Sequence, residues 1–421
     1  VAIVLNPSEP AIVRGIKTVG VGKKGSKALT PQLAREIVED LKADKISAAA
    51  QGAFFAGLLA KGIAPEEEIL AQAFKPGTLH DVKRLVEAIA PDAPAFVRVI
   101  CTDLFNHKTL DKKTACRLGE FLFSNNAGDG ARGLVASFLR VRYETDDEYE
   151  GLLQAIQETI TPAFRTPVPD GDPVIQLAEP FDGNDHSYMI TPLLGAYVQS
   201  LGYRTLHLVG RNSGPKLVFN LLDVVEALKI SFVKNNSELG KLKSAFGWFI
   251  HQKDLSSAVD RWVDIRRQTV KRPFLATLEK FLNPANAQII ATSAFHPPYG
   301  EKMLTISERA GFPGAIVIRN GIEGSLAFSL KRETRILCSA RQKDGSYRRH
   351  EIIFEAEKFL GETIETEEKR EHPNAIDNAR LIEEYRKVGK TANRHFDLRV
   401  KATCEGFRMA IEWIGNNLRW T

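Results

Sequence analysis

The stretch Val174-Ile175-Gln176-Leu177-Ala178-Glu179-Pro180-Phe181-Asp182-Gly183-Asn184-Asp185, continued to Lys229, decides the fold. It reads as a strand (Val174–Leu177), a loop (Glu179–Ser187) and a helix (Thr191–Ser200). A second strand (Thr205–Val209), loop (Gly210–Lys216) and helix (Leu222–Lys229) follow. Alternation of this kind predicts a parallel sheet, in which a loop between a strand end and a helix start is the natural seat of a phosphate. Pro180–Asp185 has one glycine and two carboxylates, however. A loop built only to cradle pyrophosphate would carry more glycine and less negative charge.

Further candidate strands are 247–250, 287–292, 315–319 and 334–339, most of them separated by helices. The expected class is α/β: an N-terminal helical domain, then a mostly parallel sheet with helices on both faces. The Pro- and Gly-rich segment 161–173 predicts a linker between a helical domain (1–160) and an α/β domain (174–421) that closes on C-terminal helices. Within the helical domain the pattern at 29–74 recurs at 110–157, shifted by 81 positions. Leu29, Ala34, Glu39, Leu41, Ala50, Gly52, Leu58 and Glu67 meet Leu110, Ala115, Glu120, Leu122, Ala131, Gly133, Leu139 and Glu148. The shared order of cap, helix, small-residue helix and acidic start predicts duplicated helical hairpins.

The chain has 421 residues, 43% hydrophobic and 26% charged, with a net charge of +5. That balance describes a globular protein and does not by itself announce nucleic acid. Its four cysteines form no CxxC pair, which predicts thiols in a reducing compartment, the cytoplasm or an organelle reached after removal of a targeting segment. No apolar run approaches the length needed to cross a bilayer, so no membrane partner is expected. Gly20-Val21-Gly22-Lys23-Lys24-Gly25-Ser26-Lys27 resembles a P-loop, but its order is Gly-Ser-Lys and it leads into a helical hairpin. It reads as a basic loop or a polyanion contact. Asp344-Gly345, flanked by Arg341, Lys343, Arg348, Arg349 and His350, reads as a hairpin turn. With Lys23, Lys24 and Lys27 those cations could make a nucleic-acid surface.

Three segments carry a family resemblance: Ile265-Arg266-Arg267-Gln268-Thr269-Val270-Lys271-Arg272-Pro273-Phe274 through Asn283-Pro284, the unit Gly202–Lys229, and Gly314–Gly321. They resemble the anthranilate phosphoribosyltransferase family (glycosyltransferase family 3), and the helical repeats resemble its N-terminal helical domain. The resemblance implies transfer of phosphoribose from phosphoribosyl pyrophosphate to an acceptor such as an aromatic amine, with Mg²⁺ as cofactor and a homodimer formed through the helical domain. The family's Gly-Thr-Gly-Gly-Asp loop corresponds to Phe181–Asp185, which implies donor or phosphate contacts at Asp182, Gly183, Asn184 and Thr191. Acceptor contacts are implied at Gly210, Asn212, Arg266 and Arg267, and a Mg²⁺ ligand at Glu323, where the family has two carboxylates. His296 and Tyr299, in Phe295-His296-Pro297-Pro298-Tyr299, are cleft candidates; a rigid Pro-Pro loop is the competing reading. The lost glycines and the Glu323-Gly324-Ser325 loop are similar to a divergent second group of the family. That group suggests an alternative: a catalytically inactive member that binds single-stranded nucleic acid or another polyanion.

Overall fold

A computed structural model describes residues 6–20, 25–212, 218–240, 244–294 and 297–419. It divides into two compact units, a helical one formed by residues up to Glu158 with Arg261–Leu278, and an α/β one formed by most of the rest.

The helical unit contains α1 (Ala11–Val19), α2 (Pro31–Lys42), α3 (Ala48–Lys61), α4 (Val82–Ile89), α5 (Ala95–Phe105), α6 (Lys112–Leu122), α7 (Asp129–Arg142) and α8 (Asp146–Gln157). Thr30 caps α2 by accepting the Leu33 amide, with Pro31 at the first helical position. The acidic start at Pro65 opens a 3-10 helix, Pro65–Ala73. Its start is fixed by Glu67, whose carboxylate reaches back to the Ala64 amide at 2.7 Å.

Helices α3 and α7 meet through glycine and alanine. A Cβ on Gly52 would lie 2.2 Å from the Gly130 carbonyl oxygen, and one on Gly133 would lie 2.1 Å from that of Ala49. The backbones therefore touch, and any larger residue there would push them apart. The two contacts interchange under the 81-residue shift, as the reciprocal contacts of a two-fold interface do. Beyond the repeat, Trp262 buries its ring in this unit and donates its indole N–H to the Leu122 carbonyl at 2.9 Å.

The α/β unit is built on seven strands: β1 (Val174–Leu177), β2 (Arg204–Val209), β3 (Trp248–His251), β4 (Ile289–Ala294), β5 (Gly314–Arg319), β6 (Thr334–Arg341) and β7 (Tyr347–Phe354). Their order is β3-β2-β1-β4-β5-β6-β7. The first five are parallel, and β6 and β7 add an antiparallel hairpin. Strands β1, β3 and β4 are buried at every position, because helices cover both faces of a parallel sheet. Ile175, Leu177, Ile289, Ala291, Ile316 and Ile318 pack with Phe328, Phe396 and Phe407 into one core. The edge strand β7 is mostly exposed and charged, which blunts it against pairing with another chain.

The Pro-rich segment after Glu158 is fastened to the α/β unit. Thr161 donates its amide to the Leu255 carbonyl, and the buried Asn236 amide group donates to the carbonyls of Phe164, Thr166 and Pro284. Among the described residues no helix is long and apolar enough to cross a membrane.

Candidate functional site

From β1 the chain moves outward to β2 and β3, then returns to the other side of β1 as β4 and β5. The reversal lies between β1 and β4, and in open α/β sheets the crevice beyond the carboxyl ends of such strands is where ligands bind. The Glu179–Ser187 loop leaves the end of β1 there.

Gly183 sits at φ 76°, and a Cβ on it would lie 2.2 Å from the Phe219 carbonyl oxygen. Glycine is required twice over, by conformation and by space. Asn184 is buried; its amide donates to the same Phe219 carbonyl at 3.2 Å, and its side chain donates to Ser187 Oγ at 3.1 Å. The next two amides face an acceptor. Asp185 N donates to Glu323 Oε2 at 2.6 Å and His186 N to Glu323 Oε1 at 2.9 Å; the Ser187 hydroxyl joins them at 2.7 Å. The Glu323 carboxylate thus fills an N–H and O–H cradle of the kind that takes a phosphate oxygen. Glu323 itself is held at φ 51°, a strained conformation for a residue with a Cβ.

A second glutamate, missed in the sequence, makes the reverse connection. Glu179, buried at the end of β1, accepts the Leu326 amide at 3.1 Å and the Thr191 hydroxyl at 2.6 Å. Burial pushes its carboxyl up to about 7, although both hydrogen bonds and Lys280 pull the other way. Thr191 therefore serves Glu179 at the start of its helix, rather than standing open. Ser293 of β4 donates to the Gly324 carbonyl at 2.6 Å and anchors the Glu323 turn from below. Asn378 clasps the far end of the β1 loop, accepting from the Met189 amide at 2.7 Å and donating to its carbonyl at 2.9 Å.

The loop after β2 is tied in beside the first. Asn212 donates to the carbonyls of Asp182 and Val218. Asn220 donates to those of Phe181 and Gly210 while its Oδ1 caps the helix Leu221–Ala227. Gly210 lets this happen: a Cβ there would come within 2.7 Å of the Phe181 ring. Arg211 makes a two-point ion pair with Asp260 at 3.0 and 3.1 Å. Asp182, Gly183, Asn184, Thr191, Gly210, Asn212 and Glu323 thus belong to one network in the α/β unit. Glu179, Asn220 and Asn378 complete it. Buried polar residues at strand and helix ends were the available signal for these three.

The remaining sequence candidates belong to other elements. Arg266 is fully buried in the helical unit, whereas Arg267 is half-exposed and 3.8 Å from Asp264. Pro297, Pro298 and Tyr299, expected in a rigid loop, form the first turn of the helix Pro297–Arg309, where proline is tolerated because its missing N–H would be unpaired anyway. His296, Lys23 and Lys24 lie outside the described residues. Helix α1 precedes the Gly20–Lys27 stretch where a P-loop needs a strand. In the β6–β7 hairpin Arg349 is neutralised by Glu308 and Glu301, and His350 stacks on Trp413. Both residues are exposed on the edge strand.

No three His, Cys, Asp or Glu side chains converge among the described residues, and both Glu323 oxygens accept from N–H or O–H donors.

No family model matches the chain. An uncharacterised protein of Aquifex aeolicus is 25% identical over 239 residues, 57% of this chain and 71% of that protein. The anthranilate phosphoribosyltransferase of Cupriavidus necator is 25% identical over 219 residues, 52% of this chain. That match spans 62% of the enzyme, less than two thirds of its length. Among solved structures, anthranilate phosphoribosyltransferase from Saccharomyces cerevisiae in complex with phosphoribosyl pyrophosphate and Mg matches with a TM-score of 0.57 at 14% identity. The match covers 77% of this chain and 95% of that one. The enzyme from Thermus thermophilus gives 0.53 at 15% identity, covering 75% and 98%. The chain has the anthranilate phosphoribosyltransferase-like fold.

Proposed function

We propose that this chain, carrying the fold of the anthranilate phosphoribosyltransferases, is a phosphoribosyltransferase-like glycosyltransferase that takes phosphoribosyl pyrophosphate or a closely related diphosphate as donor. The observation that carries this reading is the cradle of Asp185 N, His186 N and Ser187 Oγ at the β1–β4 switch point. Those donors already hold an oxyanion, the carboxylate of Glu323.

In this reading Glu323 is an internal stand-in for the ligand. A diphosphate oxygen competes for the same donors, and binding requires the Glu323 carboxylate to leave them. Fixed amides stabilise charge that grows on a departing pyrophosphate, because they need no reorganisation as the bond to the ribose breaks. The cost of displacing Glu323 weakens donor affinity, and release of its strained φ offsets part of that cost. Mg²⁺ would enter with the diphosphate, held largely by phosphate oxygens. Asn212 and Gly210 would border the acceptor, whose identity the side chains leave open.

Turnover tests the reading. Donor, Mg²⁺ and a panel of aromatic amines are incubated with the full chain, and pyrophosphate release is followed by a coupled assay. Amine-dependent release, lost in Asn184→Ala, supports transfer. Absence of release with every amine, together with no donor binding at millimolar concentration, would remove it.

A further inference from the structure

The helical unit holds a cavity of about 320 Å³ lined by Ser26, Ala60, Lys61, His107, Phe138, Val141 and Arg142. Six of these seven fall into pairs under the 81-residue shift: Ser26 with His107, Ala60 with Val141, Lys61 with Arg142. The cavity therefore lies where the two repeats face each other, and each contributes one cation from the last residue of its small-residue helix.

Those cations are matched by two buried glutamates in corresponding roles. Glu67 accepts the amides of Leu29 and Ala64 and the Lys61 ammonium, at 2.9, 2.7 and 2.7 Å. Glu148 accepts the amides of Leu110 and Thr145 and the Arg142 guanidinium, at 3.0, 2.8 and 2.6 Å. Both carboxylates are saturated by donors. The cations are not. Arg142 Nε is buried without a partner among the described residues. Lys61 spends two of its three N–H groups, on Glu67 and on the Gly62 carbonyl. The cavity thus offers two cationic side chains with donors to spare, and an apolar wall from Phe138, Val141 and Ala60.

We propose that this cavity is a binding site for a small phosphate monoester, its dianionic head between Lys61 and Arg142 and its apolar body against Phe138. Two facing cations suit a dianion better than a monocarboxylate, and the unpartnered Nε supplies a charge-assisted hydrogen bond that the free protein lacks. His107, on the open side, adds a further ring N–H. The site is independent of the donor site proposed above, since every lining residue belongs to the helical unit.

Calorimetric titration of the full chain with phenyl phosphate, and separately with benzoate, tests this. Phenyl phosphate binds and benzoate binds at least about tenfold more weakly. Ala60→Phe, which fills the cavity and keeps both ion pairs, abolishes binding. Arg142→Lys, which keeps the charge and removes Nε, weakens it about tenfold. Thermal melting checks that both variants fold; if Ala60→Phe does not, Arg142→Lys carries the test. Absence of phenyl phosphate binding, equal binding of benzoate, or binding unchanged in the folded variants would overturn the proposal.

Discussion

Glu179 and Glu323 are exchanged between two loops. Glu179, after β1, accepts the amide of Leu326 beyond β5; Glu323, after β5, accepts the amides of Asp185 and His186 beyond β1. Each loop is thereby shaped by a carboxylate from the other. Glu179 is buried, while Glu323 is partly exposed.

Glu179 makes stability fall as pH rises. Burial raises its folded-state value from 4.5 to about 7, so the native state holds the extra proton between those limits. Stability is highest below pH 4.5, declines through that window and levels off above it. Glu179→Gln keeps an acceptor for Leu326 and escapes the penalty. In urea unfolding the variant gains on wild type from about pH 4.5 to about pH 8, approaching about 3 kcal/mol at the upper end. A pH-independent difference would contradict the assignment.

Gly183→Ala strains a left-handed backbone and drives a methyl into the Phe219 carbonyl. The φ alone costs about 1–2 kcal/mol. Melting of the α/β unit drops by about 2–8 °C, and donor affinity falls because the cradle shifts. A neutral result would mean that the loop is not held as described.

Removing Glu148 leaves the Arg142 charge unpaired and two buried amides unsatisfied. Glu148→Ala costs about 3–5 kcal/mol in denaturant unfolding. Adding Arg142→Met to it recovers part of the loss, because the stranded charge goes with it. Glu67→Ala, at the matching place in the first repeat, shows the same pattern with Lys61→Met.

Lys271 is buried in the helical unit with its Nζ unpartnered among the described residues. Burial, and secondarily Arg140, lower it from 10.5 to about 7. The unfolded chain binds the extra proton between those values, so stability rises with pH across that window. Lys271→Met is accordingly more stable than wild type below about pH 7, by a few kcal/mol, and the advantage shrinks toward about pH 10. Equal melting temperatures across that range would show that Lys271 has a partner.

Much of the α/β unit was legible because most of its strands are short, largely apolar segments set between helices. The 191–200 helix falls where Thr191-Pro192 predicts it, and β4 starts two residues later than its pattern suggests. The acidic start at Pro65 was legible, but not its type, because an acidic first turn after proline suits a 3-10 helix as well as an α-helix. The loop residues Gly183, Asn184 and Asn212 were identifiable from glycine and amide placement. The partner of the loop amides was not. Glu323 lies 138 positions from Asp185, and no local pattern reveals that a carboxylate so distant closes the cradle. Glu179 was hidden differently: a glutamate before Pro180 reads as the start of a polar loop, and only the sheet shows it to be buried.

The most direct test of the account is calorimetric titration of phosphoribosyl pyrophosphate, without Mg²⁺, into wild type and Glu323→Gln. Glutamine keeps the size and gives up the charge that competes for the amides of Asp185 and His186. If Glu323 is a stand-in for the diphosphate, the variant binds about tenfold more tightly, since a charge-assisted hydrogen bond exceeds a neutral one by about 1–2 kcal/mol. Unchanged or weaker binding in a folded variant would contradict it.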